Sequence, residues 1–136
     1  MFQLHDQLRK DTTIVSENDA CVLLLANDAR YPWLILVPKV AEIKEIYQLS
    51  EENQLMFSRT SIELGRELMN LFNGDKLNVA ALGNQVPQLH VHHIVRYQND
   101  AAWPSPIWGL GEAAVYTKTE LDERLQQLRD GLSFCQ

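Results

Sequence analysis

The chain has 136 residues, 46% of them apolar, with 12 basic and 18 acidic side chains for a net charge of −6. At this length folding removes roughly two thirds of the unfolded chain's accessible surface, so one core suffices for a single domain over residues 1–136, without disulfides or a structural metal. The acidic balance, with Arg9-Lys10 as the longest basic run, excludes general binding to a nucleic-acid polymer by counterion release.

The N-terminal residues MFQLHDQLRKD hold no apolar stretch of signal-peptide length. The longest apolar run, Ala20 to Ala26, falls far short of the ~20 residues of a spanning helix, so a cytoplasmic protein with no membrane partner is expected. Cys21 and Cys135 lie far apart with no Cys-x-x-Cys spacing, and both read as unpaired thiols; His5 reads as a surface bystander.

Cys21 to Ala26 is leucine-rich and stops at the turn-prone Asn27-Asp28-Ala29-Arg30-Tyr31-Pro32; Trp33 to Val37 follows and ends at Pro38. The two runs predict neighbouring antiparallel strands. Both are apolar at nearly every position, which places them centrally in a sheet covered on both faces, one of them by a helix. That helix is predicted from an N-cap at Ser50, with Glu51 and Glu52 at the positive end of its dipole, to Phe72, and it ends at Asn73-Gly74. Its apolar stripe is expected at Leu55, Ile62, Leu68, Met69 and Phe72, with Gly65 permitting close approach.

Leu77 to Leu82 and Leu89 to Arg96 predict two more strands around Gly83-Asn84-Gln85-Val86-Pro87. The segment Ala101 to Gly109, with Trp103, Pro104, Pro106 and Trp108, reads as a rigid loop sealing a core edge or a dimer surface, or else as a lid or base-side wall. A short terminal helix is predicted from a capping box at Thr119 and Asp122 through Leu121, Leu125 and Leu128 to Gly131. Strands, long helix, strands, loop and short helix make an α+β fold with a mainly antiparallel sheet.

Three of the four histidines fall in Gln88-Leu89-His90-Val91-His92-His93-Ile94-Val95-Arg96. On a strand, Gln88, His90, His92 and Ile94 share one face, while Leu89, Val91, His93 and Val95 face the core, where His93 needs a hydrogen-bond partner. Imidazoles at i and i+2 suit a metal pair, or a nucleophile beside a phosphate-binding neighbour; histidines on a solvated face are the third reading. A metal wants further ligands at fixed spacing, and the chain offers the remote His5, the two cysteines and unplaced carboxylates, so neither a metal nor another cofactor is expected. The nucleophile reading finds a fuller set, because Gln88, His92, Asn84 and Gln85 lie close by as donors to a developing phosphate charge.

Gln88-Leu-His90-Val-His92-His93-Ile94, preceded by Gly83-Asn84-Gln85-Val86, resembles the signature His-φ-His-φ-His-φ-φ of the histidine triad (HIT) proteins. The upstream Asn-Gln-Val and the downstream Arg96 set the register and put Gln88 at the first triad position. Leu24 to Asn27, Trp33 to Pro38 and Ser50 to Phe72 extend the resemblance over most of the chain. With Gln88 and the later Trp-Pro-x-Pro-x-Trp-Gly segment, the chain is similar to a bacterial branch of diadenosine-polyphosphate-hydrolase-like proteins.

The resemblance implies the HIT-like fold, a homodimer, and nucleotidyl transfer to histidine followed by hydrolysis. His90 matches the nucleophile that attacks the α-phosphorus of a nucleoside phosphate derivative, a dinucleoside polyphosphate or a phosphoramidate. His92 matches the last triad histidine, which donates to phosphate oxygens and whose backbone carbonyl accepts from one nitrogen of the nucleophile. Asn84 and Gln85 match phosphate-binding loop positions and Asn27 the ribose-binding one. Gln88 departs from the family pattern in having no titratable proton, and Trp33 in standing where many members have histidine.

Overall fold

In chain order the computed structural model, which describes residues 1–136, contains helix α1 (Asp6–Asp11) and strands β1 (Thr12–Glu17), β2 (Cys21–Ala26) and β3 (Trp33–Pro38). Helix α2 (Glu51–Phe72), strands β4 (Lys76–Ala80) and β5 (Val91–Arg96) and helix α3 (Lys118–Gly131) complete it. The strands form one antiparallel sheet in the order β1-β2-β3-β5-β4, an α+β fold. No helix is long and apolar enough to cross a membrane.

The unbroken apolar runs of β2 and β3 have a direct cause: both faces of the sheet are covered. Leu23, Leu25, Leu34, Leu36, Val91 and Val95 pack on one face against Phe57, Leu64 and Leu68 of α2, together with Leu128 and Leu132. On the other face Val22, Leu24, Ala26, Ile35 and Val37 meet Leu4 and Leu8 of the N-terminal segment. Leu23, Leu24, Leu25, Leu34 and Leu36 are all 0% exposed, and each contributes ~1.5–3 kcal/mol of transfer free energy. Both cysteines are free, and burial pushes the Cys21 thiol up to about 11 although nearby Lys39 pulls the other way.

Helix α2 starts as predicted, with Ser50 Oγ accepting from the Asn53 N–H at 3.2 Å, and stops where Asn73 turns left-handed at φ 50°. Its buried stripe, however, is Phe57, Leu64, Gly65 and Leu68, whereas Leu55 and Ile62 are 67% and 68% exposed. Those two are seven residues apart on one helix face, and that face is turned away from the sheet. Gly65 does allow close approach, since a Cβ there would sit 2.6 Å from Leu77 Cδ2.

The turn glycine after α2 is packed harder still. A Cβ at Gly74 would collide with Val95 Cγ1, and Val95 is 0% exposed on the interior strand β5. A β-branched core side chain has no free rotamer to retreat into. Gly74→Ala is therefore expected to cost about 1–3 kcal/mol, read as a lower denaturation midpoint by chemical unfolding.

Five elements differ from the sequence expectation. Helix α1 and strand β1 were not anticipated: α1 is six residues long, and β1 carries a bulge between Ile14 and Ser16 that breaks the alternation of an edge strand. Strand β4 ends at Ala80 rather than Leu82. Strand β5 begins at Val91 rather than Leu89, because Pro87 has no N–H and the Leu89 N–H goes to the Ile43 carbonyl at 2.8 Å. The capping box of α3 is Thr117 with Glu120, not Thr119 with Asp122; Asp122 instead pairs with Lys118 at 2.8 Å, one turn apart on the exposed face.

Candidate active site

The two-residue alternation of β5 continues into the extended residues before it, so His90, His92 and Ile94 face away from α2. The rings of His90 and His92 are 5.1 Å apart between centroids, and the residues are 7% and 6% exposed. Nδ1 of His90 lies 2.6 Å from the backbone oxygen of Gln88. A carbonyl only accepts, so Nδ1 carries the proton and Nε2 keeps its lone pair toward the cleft. The orienting carbonyl is thus that of Gln88 and not that of His92, as the resemblance implied. The rings of His90 and His93 both fold back onto the carbonyl two residues earlier, His93 Nδ1 lying 3.1 Å from that of Val91.

His92 is held on its other edge. The Trp33 indole N–H donates to its Nδ1 at 2.9 Å, and the Trp108 ring packs edge-on at 5.2 Å. Burial, reinforced by His90 and His93, lowers its pKa to about 4. His93 faces the helix side, as the alternation requires, and finds its partner in Ser61 of α2, whose Oγ lies 2.7 Å from Nε2. With Nδ1 donating to Val91, that hydroxyl is the donor. Ser61 sits one turn from both Phe57 and Leu64 of the buried stripe, which is the signal that would have found it.

Burial also lowers His93 to about 4, the Val91 carbonyl opposing. For both rings the fold favours the neutral form, so their stabilising contribution is intact above the ordinary imidazole pKa of ~6.5. It is lost as the pH falls through the folded value of about 4. The chemical denaturation midpoint is accordingly expected to drop between pH 7 and pH 4, and His93→Gln to flatten that drop.

His90 and His92 form the floor of a cleft of about 770 Å³, which also takes in Asn27, Asn84, Gln85 and Trp108. Asn84 and Gln85 stand exposed on its rim. Asn27 is oriented by Thr13 Oγ1, which donates to Oδ1 at 3.3 Å, and by the Lys10 carbonyl, which accepts from Nδ2 at 3.4 Å. The structure therefore gathers five of the six anticipated residues, His90, His92, Asn27, Asn84 and Gln85.

Gln88 is the exception. Its Oε1 accepts from the His5 backbone N–H at 2.9 Å and its Nε2 donates to the Gln3 carbonyl at 2.8 Å. The carboxamide supplies hydrogen bonds that residues 3–5, lying outside the sheet, lack from other backbone, and it does not line the cleft. His5 is likewise no bystander, since its Nδ1 caps α1 by accepting from the Gln7 N–H at 3.0 Å.

Sequence reasoning missed a clasp across the cleft wall. Asp28, whose side chain is 4% exposed, takes Arg30 Nε and Nη2 at 3.0 and 2.8 Å and accepts from the Ala114 N–H at 3.2 Å. Arg30 Nη1 donates to the Leu110 carbonyl at 2.9 Å. Burial acts to raise the Asp28 carboxyl, but the Arg30 and backbone donors outweigh it and hold it below the usual range. The clasp ties the β2–β3 turn to residues 110–114, of which Leu110, Gly111 and Ala113 line the cleft after Trp108. The loop from Ala101 to Gly109 serves two purposes: Ala102 and Ile107 seal the core against Tyr31 and Ile94, and Trp108 walls the cleft.

A family model for the HIT domain matches residues 7–99. Among solved structures, a histidine triad protein from Marinobacter aquaeolei is 48% identical over 100% of this chain and 99% of its own, with a TM-score of 0.95. One from Bradyrhizobium japonicum is 40% identical over 96% and 98%, with a TM-score of 0.93. A third, from Sinorhizobium meliloti, is 37% identical over 96% and 97%, with a TM-score of 0.92. No curated protein matches the chain.

Proposed function

The chain belongs to the HIT domain family, and from that premise we propose that it is a nucleotide hydrolase or transferase acting at the α-phosphate of a nucleoside phosphate derivative through a covalent nucleotidyl-histidine at His90. The observation that carries this reading is the Nδ1–H of His90 committed to the Gln88 carbonyl, which leaves Nε2 unprotonated at the floor of the cleft. In the first step that lone pair bonds to the α-phosphorus while the bond to the leaving group breaks. Water then attacks phosphorus and gives up a proton to solvent, the P–N bond breaks, its electron pair returns to Nε2, and a nucleoside monophosphate leaves. His92, with its proton on Nε2, donates to the phosphoryl oxygens. Asn84 and Gln85 take the phosphate from the rim, and Asn27 the ribose.

In this reading Gln88 occupies the first triad position, and its carboxamide holds the N-terminal segment rather than relaying a proton. Diadenosine polyphosphates and phosphoramidates are the candidate substrates. The exposed apolar side chains of Leu55, Ile62 and Val79 support a homodimer. Release of nucleoside monophosphate from a panel of dinucleoside polyphosphates, nucleotide sugars and adenosine phosphoramidates, with chelator present, tests the function. Turnover of at least one class is the expected result. The turned-away Gln88 favours one second reading, a nucleotide-binding module without turnover. Tight binding of adenosine monophosphate with no product from any member of the panel would establish that reading and overturn the first.

A further inference from the structure

Trp33 lies on β3 opposite Ile94 of β5, which brings its indole N–H to Nδ1 of His92 at 2.9 Å. An indole N–H donates and never accepts, so the contact has one polarity: Nδ1 uses its lone pair, and the proton of the neutral ring stands on Nε2. Trp108 closes the other side, edge-on to His92 at 5.2 Å and to Trp33 at 6.2 Å. A histidine that shuttles protons has an acceptor behind its second nitrogen to stabilise the cation. His92 has a donor there, between two indoles.

Resting on the reading of His90 as nucleophile, we propose that Trp33 is a positioning residue that locks His92 as a neutral Nε2–H donor, so that the site stabilises phosphoryl charge yet gives no proton to the leaving group. The burial that draws His92 down to about 4 acts in the same direction. The titratable and charged groups around it are His90 and His93 on its own segment, Asp28 and Arg30 from the β2–β3 turn, and Lys10 and Asp11 at the end of α1. Arg30 is paired with Asp28 and does not release its proton. His90 Nε2 is consumed in the bond to phosphorus, the two aspartates are acceptors, and Lys10 is an exposed charge at the rim.

The chemical consequence concerns the leaving group. As the P–N bond forms, the electron pair of the breaking bond leaves on the departing atom. A weakly basic oxygen, such as a phosphate of an acid anhydride or an acidic phenol, carries that charge away unprotonated; an alkoxide or an amine must be protonated as it leaves. This site therefore favours anhydrides and activated esters of a nucleoside monophosphate over its phosphoramidates.

Two measurements on the full chain test this. Nitrogen-15 NMR of the imidazoles is expected to show His92 as the Nε2–H tautomer at pH 7 and uncharged down to about pH 5. In Trp33→Phe, which keeps a ring but removes the donor, the tautomers are expected to mix and the titration to move up, while burial still holds it below the ordinary imidazole value. In the second, kcat/KM for aryl esters of adenosine monophosphate is expected to fall more than about tenfold from p-nitrophenyl to phenyl in the wild type, and less steeply near pH 6 in Trp33→Phe. A wild-type His92 that is Nδ1–H or charged at pH 7, or a variant with unchanged tautomer and unchanged leaving-group dependence, overturns the proposal. The NMR result alone decides the lock if Trp33→Phe does not fold. Absence of turnover on every ester, with the His92 signal as expected, would instead count against the hydrolase reading.

Discussion

Replacing His90 with asparagine is expected to reduce turnover by on the order of 10⁴-fold or more, while the fold and nucleotide binding persist. The asparagine amide can take over the donation to the Gln88 carbonyl that His90 Nδ1 now makes at 2.6 Å, so the local backbone keeps its partner. What it cannot replace is the lone pair on Nε2. An amide nitrogen is not nucleophilic, so no covalent intermediate forms, and what survives is binding and the His92 donor. Release of nucleoside monophosphate measures the first effect, and calorimetric titration with adenosine monophosphate the second. Wild-type turnover by the variant would remove His90 from the mechanism. Loss of binding together with turnover would show that His90 serves the ground state as well.

The largest stability effect is expected at Arg96. Its side chain is 1% exposed and that of its partner Asp100 3% exposed, joined at 2.8 Å through Nε and 3.0 Å through Nη2. Nη1 donates to Asn78 of β4 at 2.9 Å, and the guanidinium lies over the rings of Tyr31 and Trp103, 5.7 Å from each centroid. Asp100 in turn accepts from the N–H groups of Tyr97 and Trp103 at 3.0 and 2.8 Å, which sets the turn leading into the Trp103–Trp108 loop. Arg96→Met leaves a carboxylate buried without its cation, at a cost of about 3–5 kcal/mol. Domains of this kind have only ~5–15 kcal/mol to lose. Chemical denaturation should show the midpoint falling accordingly. Adding Asp100→Asn should recover part of the loss, since it removes the uncompensated charge while its amide oxygen still accepts from the Trp103 N–H. A single variant as stable as the wild type would mean that the pair is idle.

The same pair sets the acid limit of the fold. Burial acts to raise the Asp100 carboxyl, but the Arg96 guanidinium and the backbone donors outweigh it and hold it at about 2. Its folded pKa lies below the unfolded value of ~3.9, so its contribution is present above that value and is lost as the pH falls through about 2. The imidazole losses at His92 and His93 come earlier in an acid titration.

Much of this was legible from local pattern. The unbroken apolar runs of β2 and β3 announce a sheet covered on both faces, because only two-sided burial makes every position apolar. Ser50 and Asn73 bracket α2 through hydrogen bonding and αL tolerance, which are properties of single residues. The i, i+2 spacing of His90 and His92 puts both on one face whatever the rest of the chain does. The stripe of α2 is not local in this sense. Leu55 and Ile62 are as apolar as Leu64 and Leu68, and which side faces the sheet depends on where the sheet lies.

The sequence by itself therefore determined the class of fold, the central strands and the pair of imidazoles with their carboxamide-rich loop, since each rests on periodicity or on chemistry within a few residues. Tertiary structure decided what those imidazoles are. The donor to His92 comes from Trp33, 59 residues away, and the hydroxyl for His93 from Ser61, 32 residues away. Gln88 meets Gln3 and His5 across more than 80 residues, and Arg96 meets Tyr31 and Trp103 from opposite sides in sequence. Tautomer is set by the atom within hydrogen-bond reach of each ring nitrogen and charge chiefly by burial, and strand register and helix docking choose both.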